Sequence, residues 1–252
     1  MMIFIKNDEK TIFKHYKQPY YRTILKSFFL PKIIKEADLI ISLPKLKTHQ
    51  LAKFTGAIKN LYGCITGGTK QKYHKKAQGS KKHGKLLVDI YQNIRPELNI
   101  MDAVIGMEGD GPTSGDARKV GYLLASKNAV NLDLVSAKMI GYKPKSIYTN
   151  KEALKRKLAR KKSKIVGEKL PKFKFKKPCK DKKFRAAFKN LIKERPIVCD
   201  TKKCIRCGKC ARSCPAKAIS MKPYPVVDTK KCIRCFCCIE ICPQNAMMLG
   251  KC

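Results

Sequence analysis

The sequence predicts two units of different fold. The first is an α/β domain with a mainly parallel sheet. The second is a small α+β unit at the C-terminus, organised by cysteines. Two observations carry this expectation. Short β-rich runs alternate with helical stretches through residues 1–142, as in sheets whose faces are covered by helices. And "KCIRCGKCARSCP" at 203–215 returns as "KCIRCFCCIEICP" at 231–243. With 252 residues the chain can hold one medium core and one small one. The boundaries implied are an α/β domain at 1–142, a basic, partly helical extension at 143–195 and a cysteine-rich domain at 196–252.

In chain order, "EADLIISLPKLKT" (36–48) opens as a buried strand that Pro44 stops. "HGKLLVDIYQNIRPEL" (83–98) reads as a helix ending near Arg95, before Pro96. "NIMDAVIGMEG" (99–109) is an apolar strand running into a glycine-rich loop, and "GYLLASKNAVNLDLVSAKMIGY" (121–142) is a strand, a turn and an amphipathic helix. In sheets of this kind, sites gather on the loops that follow the strands. Two polar segments therefore stand out. "LPKLKTHQLAKFTGAIKNLYGCITGGTKQKYH" (43–74) places His49, Lys59 and His74 on what reads as mostly turns, and "MEGDGPTSGDARKVG" (107–121) brings Glu108, Asp110 and Asp116 directly after a strand. A neutral histidine can ligate a metal, and a lysine can bond covalently to a carbonyl. The carboxylates suit metal binding or acid–base work, and equally suit turns. Cys64, between glycines, reads as a reactive thiol or a small buried residue, and Asp102 and Asp133 as carboxylates buried with partners.

The two cysteine runs follow C-x2-C-x2-C-x3-C-P: Cys204, Cys207, Cys210, Cys214, Pro215, then Cys232, Cys235, Cys238, Cys242, Pro243. Three thiolates at i, i+3 and i+6 can wrap one iron–sulfur cubane from a tight loop, while the fourth reaches the other cubane. Cys204, Cys207, Cys210 and Cys242 are thus expected to share one [4Fe–4S] cluster, and Cys232, Cys235, Cys238 and Cys214 the second. Zinc sites need four ligands and not eight in this rhythm, and disulfides need an oxidising compartment. Cys64, Cys179, Cys199, Cys237 and Cys252 fall outside this set; register with the first run selects Cys238 over its neighbour Cys237. The runs resemble the bacterial two-cluster ferredoxin over residues 196–252, with every ligand position filled, and the repeated "DTKKCIRC" at 200–207 and 228–235 implies an internal duplication.

The formal net charge is +39, and residues 143–195 hold 22 basic side chains against 4 acidic ones. Such a field attracts polyanions: an acidic redox partner, nucleic acid or an acidic membrane surface. No nucleic-acid motif accompanies it, and the lysines are read equally as a solvated surface. The start, "MMIFIKNDEK", is too short an apolar run for a signal peptide, and no run of about 18 apolar residues provides a membrane span. With oxygen-sensitive clusters and free thiols, the expectation is a reducing cytoplasm.

The strings LPKLKTH, TGAIKNLYG, MDAVIGMEGDGPTSG and ASKNAVNLD, within about residues 30–142, resemble the family called domain of unknown function 362. Its members often carry a C-terminal two-cluster ferredoxin. The resemblance also implies that further N-terminal residues, including an early strand with a K-P-N sequence, are missing here, as in a shortened form. A fainter resemblance is to the nickel-pincer lactate racemases. There a His, a Lys ten residues on and a later His hold the cofactor; His49, Lys59 and His74 stand at nearly that spacing. The implication is a role in binding a small-molecule substrate or cofactor. The combined expectation is an iron–sulfur electron-transfer protein, an oxidoreductase or the subunit of one. The alternative is a non-catalytic carrier or polyanion binder with structural clusters, and whether the chain is an enzyme stays open at this level.

Overall fold

The computed structural model describes residues 13–17, 24–25, 27–65, 67–159, 164–178 and 196–250. Cys179 and Cys252 lie outside them, as do 160–163 and 179–195 of the basic segment.

The α/β domain is built on a mixed sheet. Its long central strand, β6 (Leu98–Glu108), takes parallel partners on one side, Ile41–Ser42 (β3) and Lys45–His49 (β4). Antiparallel strands close both flanks: Lys53–Thr55 (β5) beside β4, and Asp116–Ser126 (β7) on the free side of β6. A separate antiparallel hairpin joins Phe13–Lys17 (β1) to Ser27–Pro31 (β2), which leads into Lys32–Glu36 (α1). The parallel pairs need crossover connections, and three helices lie there: Ala57–Asn60 (α2), Gly67–Lys76 (α3) and Gly79–Ile94 (α4) all fall between β5 and β6. Leu86, Leu87, Val88, Ile90 and Ile94 turn the buried face of α4 to a core shared with Leu46, Ile58, Leu61 and Met101. Arg95 ends α4 in the left-handed region at φ 41°, donating its N–H to Tyr91 O at 3.0 Å.

Segment 43–74, expected to be mostly turns, is largely regular. Pro44 separates β3 from β4; then follow β5, α2, a tight helical turn at Leu61–Cys64, and α3. The reason is burial. Leu46, Phe54, Ala57, Ile58 and Leu61 all reach the core, and their apolar contacts outweigh the turn preference of the glycines and polar residues between them. Asp133, from Ala129–Met139 (α5), secures the start of α2 by accepting from Ala57 N at 2.6 Å and Ile58 N at 3.1 Å. Asp102, expected buried, is half-exposed and takes Lys45 Nζ at 2.6 Å.

Beyond residue 142 the chain keeps adding to this core. Tyr148–Lys155 (α6) packs on α4. There Arg156 reaches Asp89 at 2.7 Å, a carboxylate with no exposure, and Ile147, Ala153 and Phe175 are buried in the same cluster.

The C-terminal unit shows the duplication in its geometry. Ile197–Cys199 (β8) pairs antiparallel with Met247–Leu249 (β11), and Ile219–Lys222 (β9) with Tyr224–Val227 (β10). Asp200 Oδ1 accepts from Lys202 N, and Asp228 Oδ1 from Lys230 N, so each "DTKKC" folds as the same turn. Helical turns at Lys209–Arg212 and Cys237–Glu240 each carry the third cysteine of a run. Leu51 of the large domain buries itself among Ile197, Phe236, Ile239 and Met247, so the two units share an apolar seam.

Candidate functional site: a histidine and lysine pocket against the second cysteine run

His49 ends β4 at 1% exposure. Its Nδ1 accepts from the backbone N–H of Leu51 at 3.0 Å and of Ala52 at 3.2 Å. An acceptor Nδ1 fixes the tautomer, so Nε2 carries the hydrogen and donates it to Glu240 Oε1 at 3.0 Å. Burial lowers the His49 pKa to about 4, aided by the charge of Lys59, and the hydrogen bond to Glu240 does not reverse this. The contact is therefore a charge-assisted hydrogen bond from a neutral imidazole and not a salt bridge. Glu240 itself is held well below the usual carboxylate range: burial would raise it, but Lys59 and His49 prevail.

Around this contact the pocket is basic. His74, on α3, and His83, on α4, stack at 5.1 Å between centroids, and Tyr62 meets both edge-on at 5.4 Å and 5.6 Å. Both histidines are buried, at 4% and 1% exposure, and burial lowers the pKa of His74 to about 4 and that of His83 well below the ordinary value. Neither ring nitrogen of His83 has a hydrogen-bond partner. Lys70 lies 5.9 Å from the centre of the Tyr62 ring, and Tyr62 donates its hydroxyl to Lys70 O at 3.1 Å. Lys47, Lys59 and Lys70 all interact electrostatically with Glu240; burial lowers the pKa of Lys47 and Lys70. The second cysteine run faces the same space, since Cys237 and Cys235 act on Tyr62 and Cys237 on Lys70.

His49, Lys59 and His74 are thus brought together, although 25 residues separate the first from the last. Glu108 and Asp110 are not with them. Glu108 is 5% exposed, accepts from Arg118 Nη1 and from Lys176 N, both at 3.0 Å, and so pins the 172–177 segment to the sheet. Asp110 lines a separate crevice of about 170 Å³ with Gln50, Pro112, Phe236 and Ile239. Asp116 is exposed and meets Lys176 Nζ at 3.1 Å. Cys64 is buried, and burial pushes its thiol up to about 12, which makes it a packing residue.

Sequence reasoning missed His83, Tyr62, Lys47, Lys70, Glu240 and Cys237. The signal for the last two was there. The two cysteine runs differ at five positions, Gly208/Phe236, Lys209/Cys237, Ala211/Ile239, Arg212/Glu240 and Ser213/Ile241, and Phe236, Ile239 and Glu240 of the second copy meet the large domain. Phe236 even keeps the left-handed backbone of Gly208, φ 62° against 67°, while its ring is buried in the seam.

The cysteines fit iron–sulfur clusters. Cys204, Cys207, Cys210 and Cys242 line one small cavity with Ile205, Pro225 and Met247. Cys214 acts electrostatically on both Cys232 and Cys238. Backbone N–H groups aim at sulfur: Ala218 at Cys214 Sγ and Ala246 at Cys242 Sγ, each at 3.2 Å, and Arg206 at Cys204 Sγ at 3.4 Å. Such donors stabilise thiolates and the charge of a bound cluster. Among the described residues no three His, Cys, Asp or Glu side chains converge on one metal ion; Cys204, Cys207, Cys210 and Cys242 line a space instead. Beside the second site, a crevice of about 890 Å³ runs between α3 and the first run, lined by Lys72, Lys75, Arg212 and Lys217, with Cys214 in its wall.

The 4Fe-4S dicluster domain matches residues 203–248. The Thylakoid-associated protein sll1697 of Synechocystis sp. is 39% identical over 121 residues; the match covers 48% of this chain and 38% of that protein. No solved structure matches the chain. Among the described residues no helix is long and apolar enough to cross a membrane. A family model described as domain of unknown function (DUF362) matches residues 3–138, more than half of the chain, and the protein belongs to that family.

Proposed function

We propose that the protein is an iron–sulfur oxidoreductase, or the electron-transfer subunit of one, whose reaction site is the pocket of His49, Lys59 and His74. The 4Fe-4S dicluster domain supports the electron-transfer role. The observation that carries the rest is the hydrogen bond from His49 to Glu240, which sets the pocket against the helical turn of the second cysteine run.

Cys204, Cys207, Cys210 and Cys242 would hold one [4Fe–4S] cluster, and Cys232, Cys235, Cys238 and Cys214 the other. When bound, such clusters accept and release single electrons. The chain's own groups supply what such chemistry needs nearby. His49 and His74 are neutral near pH 7, so they add no charge of their own, and a neutral ring N–H can donate a hydrogen bond where negative charge develops, as that of His49 does to Glu240. Lys59 and Lys70 present fixed positive charge to the same space. Leu51, Tyr62 and Phe236 close the seam against water. The basic crevice beside Cys214 is where an acidic electron carrier docks, and the working compartment is the reducing cytoplasm.

A second reading, a carrier or polyanion binder with structural clusters, is favoured by one fact, the net charge of +39. Anaerobic purification with iron and sulfide analysis and an EPR-monitored redox titration separates the two. The proposal requires about eight iron atoms per chain and signals that appear and vanish reversibly. Clusters that bind and never reduce, with nucleic acid affinity that falls steeply with salt, establish the second reading. Zinc in place of iron overturns both.

A further inference from the structure

We infer that the pocket is an anion site, built for the oxyanion group, carboxylate or phosphate, of a small molecule. The inference rests on the reading that the reaction site lies here, and it deepens it by naming the class of substrate.

Three observations converge. The first is an imbalance of charge. Lys47, Lys59 and Lys70 all interact with Glu240, and among the described residues no other carboxylate stands among the leading influences on Lys47 and Lys70. Three ammonium groups against one carboxylate leave an excess of positive charge, and such an excess, half-desolvated, is costly unless an anion joins it. The second is an unmet hydrogen-bonding requirement. His83 is 1% exposed and both its ring nitrogens lack partners, so a buried donor and a buried acceptor stand beside His74 with nothing to satisfy them. A small polar molecule with an oxyanion and a hydroxyl group meets both: the oxyanion accepts from the ring N–H and the hydroxyl donates to the other ring nitrogen. The third is that one carboxylate already shows how the site treats such a group. Glu240 takes a hydrogen bond from the neutral His49, keeps a side-chain exposure of 32%, and so stands at the mouth through which a ligand would enter.

The rival explanation is that these lysines only balance the thiolates of the second cysteine run. It predicts a neutralised pocket with no affinity of its own. The two are separable because anion binding does not depend on electron transfer.

The test is isothermal titration of the anaerobically reconstituted full chain with three probes, sodium acetate, oxalate and inorganic phosphate, each at constant ionic strength set with chloride. Constant ionic strength matters because a surface of this charge binds any anion weakly. The expected result is one saturable site, weakened by about tenfold or more in Lys59→Gln and in His83→Gln, and unchanged in Lys151→Gln, which removes an exposed charge on α6 instead. Lys59 is half-buried, so its variant keeps the test alive if His83→Gln does not fold. Tighter oxalate than phosphate assigns a carboxylate substrate, and the reverse assigns a phosphate ester. Binding of many ions per chain, or equal loss in all three variants, overturns the inference and leaves the electron-transfer reading intact. A redox-silent protein that still binds one anion fails the other way.

Discussion

Three of the four histidines in the chain lie in one pocket, and burial keeps all three neutral. That arrangement fixes how stability depends on pH. In the unfolded chain each titrates near 6.5; in the folded protein His49 and His74 titrate near 4, and His83 well below its ordinary value. Between those values the unfolded state binds up to three more protons, so stability falls as pH drops from 6.5 toward 4, by on the order of 3 kcal/mol for each of His49 and His74. Asp133 acts oppositely. Burial raises its pKa from 3.8 to about 7, so over the same range the folded state holds a proton that the unfolded state releases. Asp89, whose pKa burial also raises, opposes them in the same way; the three histidines outnumber the two carboxylates. Thermal unfolding across pH 4–7 is expected to show a midpoint rising with pH, with a slope reduced by about half or more in His83→Gln. A flat profile in the unaltered protein would mean that the rings are hydrated or charged.

At the scale of elements, what places Lys59 is a helix of four residues, too short to be stable alone. It exists because Asp133 on α5 holds its first two amides and because Gly56 lets α5 approach. A Cβ at Gly56 would overlap Asp133 and the Phe54 ring. Gly56→Ala is therefore expected to destabilise the domain by about 2–4 kcal/mol, measured by chemical denaturation, with loss of the anion affinity assigned to Lys59. If stability were unchanged, the contact between α2 and α5 would be looser than described. These elements also mark what the sequence made legible. The strand at 98–108, α5 and the end of α4 at Arg95 followed from apolar runs and Pro96, both local signals. Segment 43–74 was misjudged as mostly turns, because its helices are held by residues 76 positions away, as Asp133 holds Ala57. The pocket was legible only in part for the same reason. His49, Lys59 and His74 sat in one polar stretch, whereas His83 was hidden in an apolar helix and Glu240 came from the other domain. Glu108 looked functional from its neighbours and proved to be an ion-pair partner of Arg118.

At the scale of the molecule, the duplication and its lapses explain the assembly. Two near-identical cysteine runs would give two equivalent faces. The second copy departs from the first at Phe236, Cys237 and Glu240, and that face docks on the large domain through Leu51 and His49. On the ligand sets proposed above, one cluster would lie at the pocket and the other away from it. The fields of the pocket should reach them unequally, since Lys70 acts on Cys237 of the second run. The most direct test is an EPR-monitored redox titration of the reconstituted protein beside its Lys70→Gln variant. Removing a positive charge disfavours the more negative, reduced cluster. The account predicts that one of the two potentials falls, by on the order of tens of millivolts, while the other stays in place. Two potentials that move together, or that both ignore the substitution, would contradict a pocket seated against the second cluster.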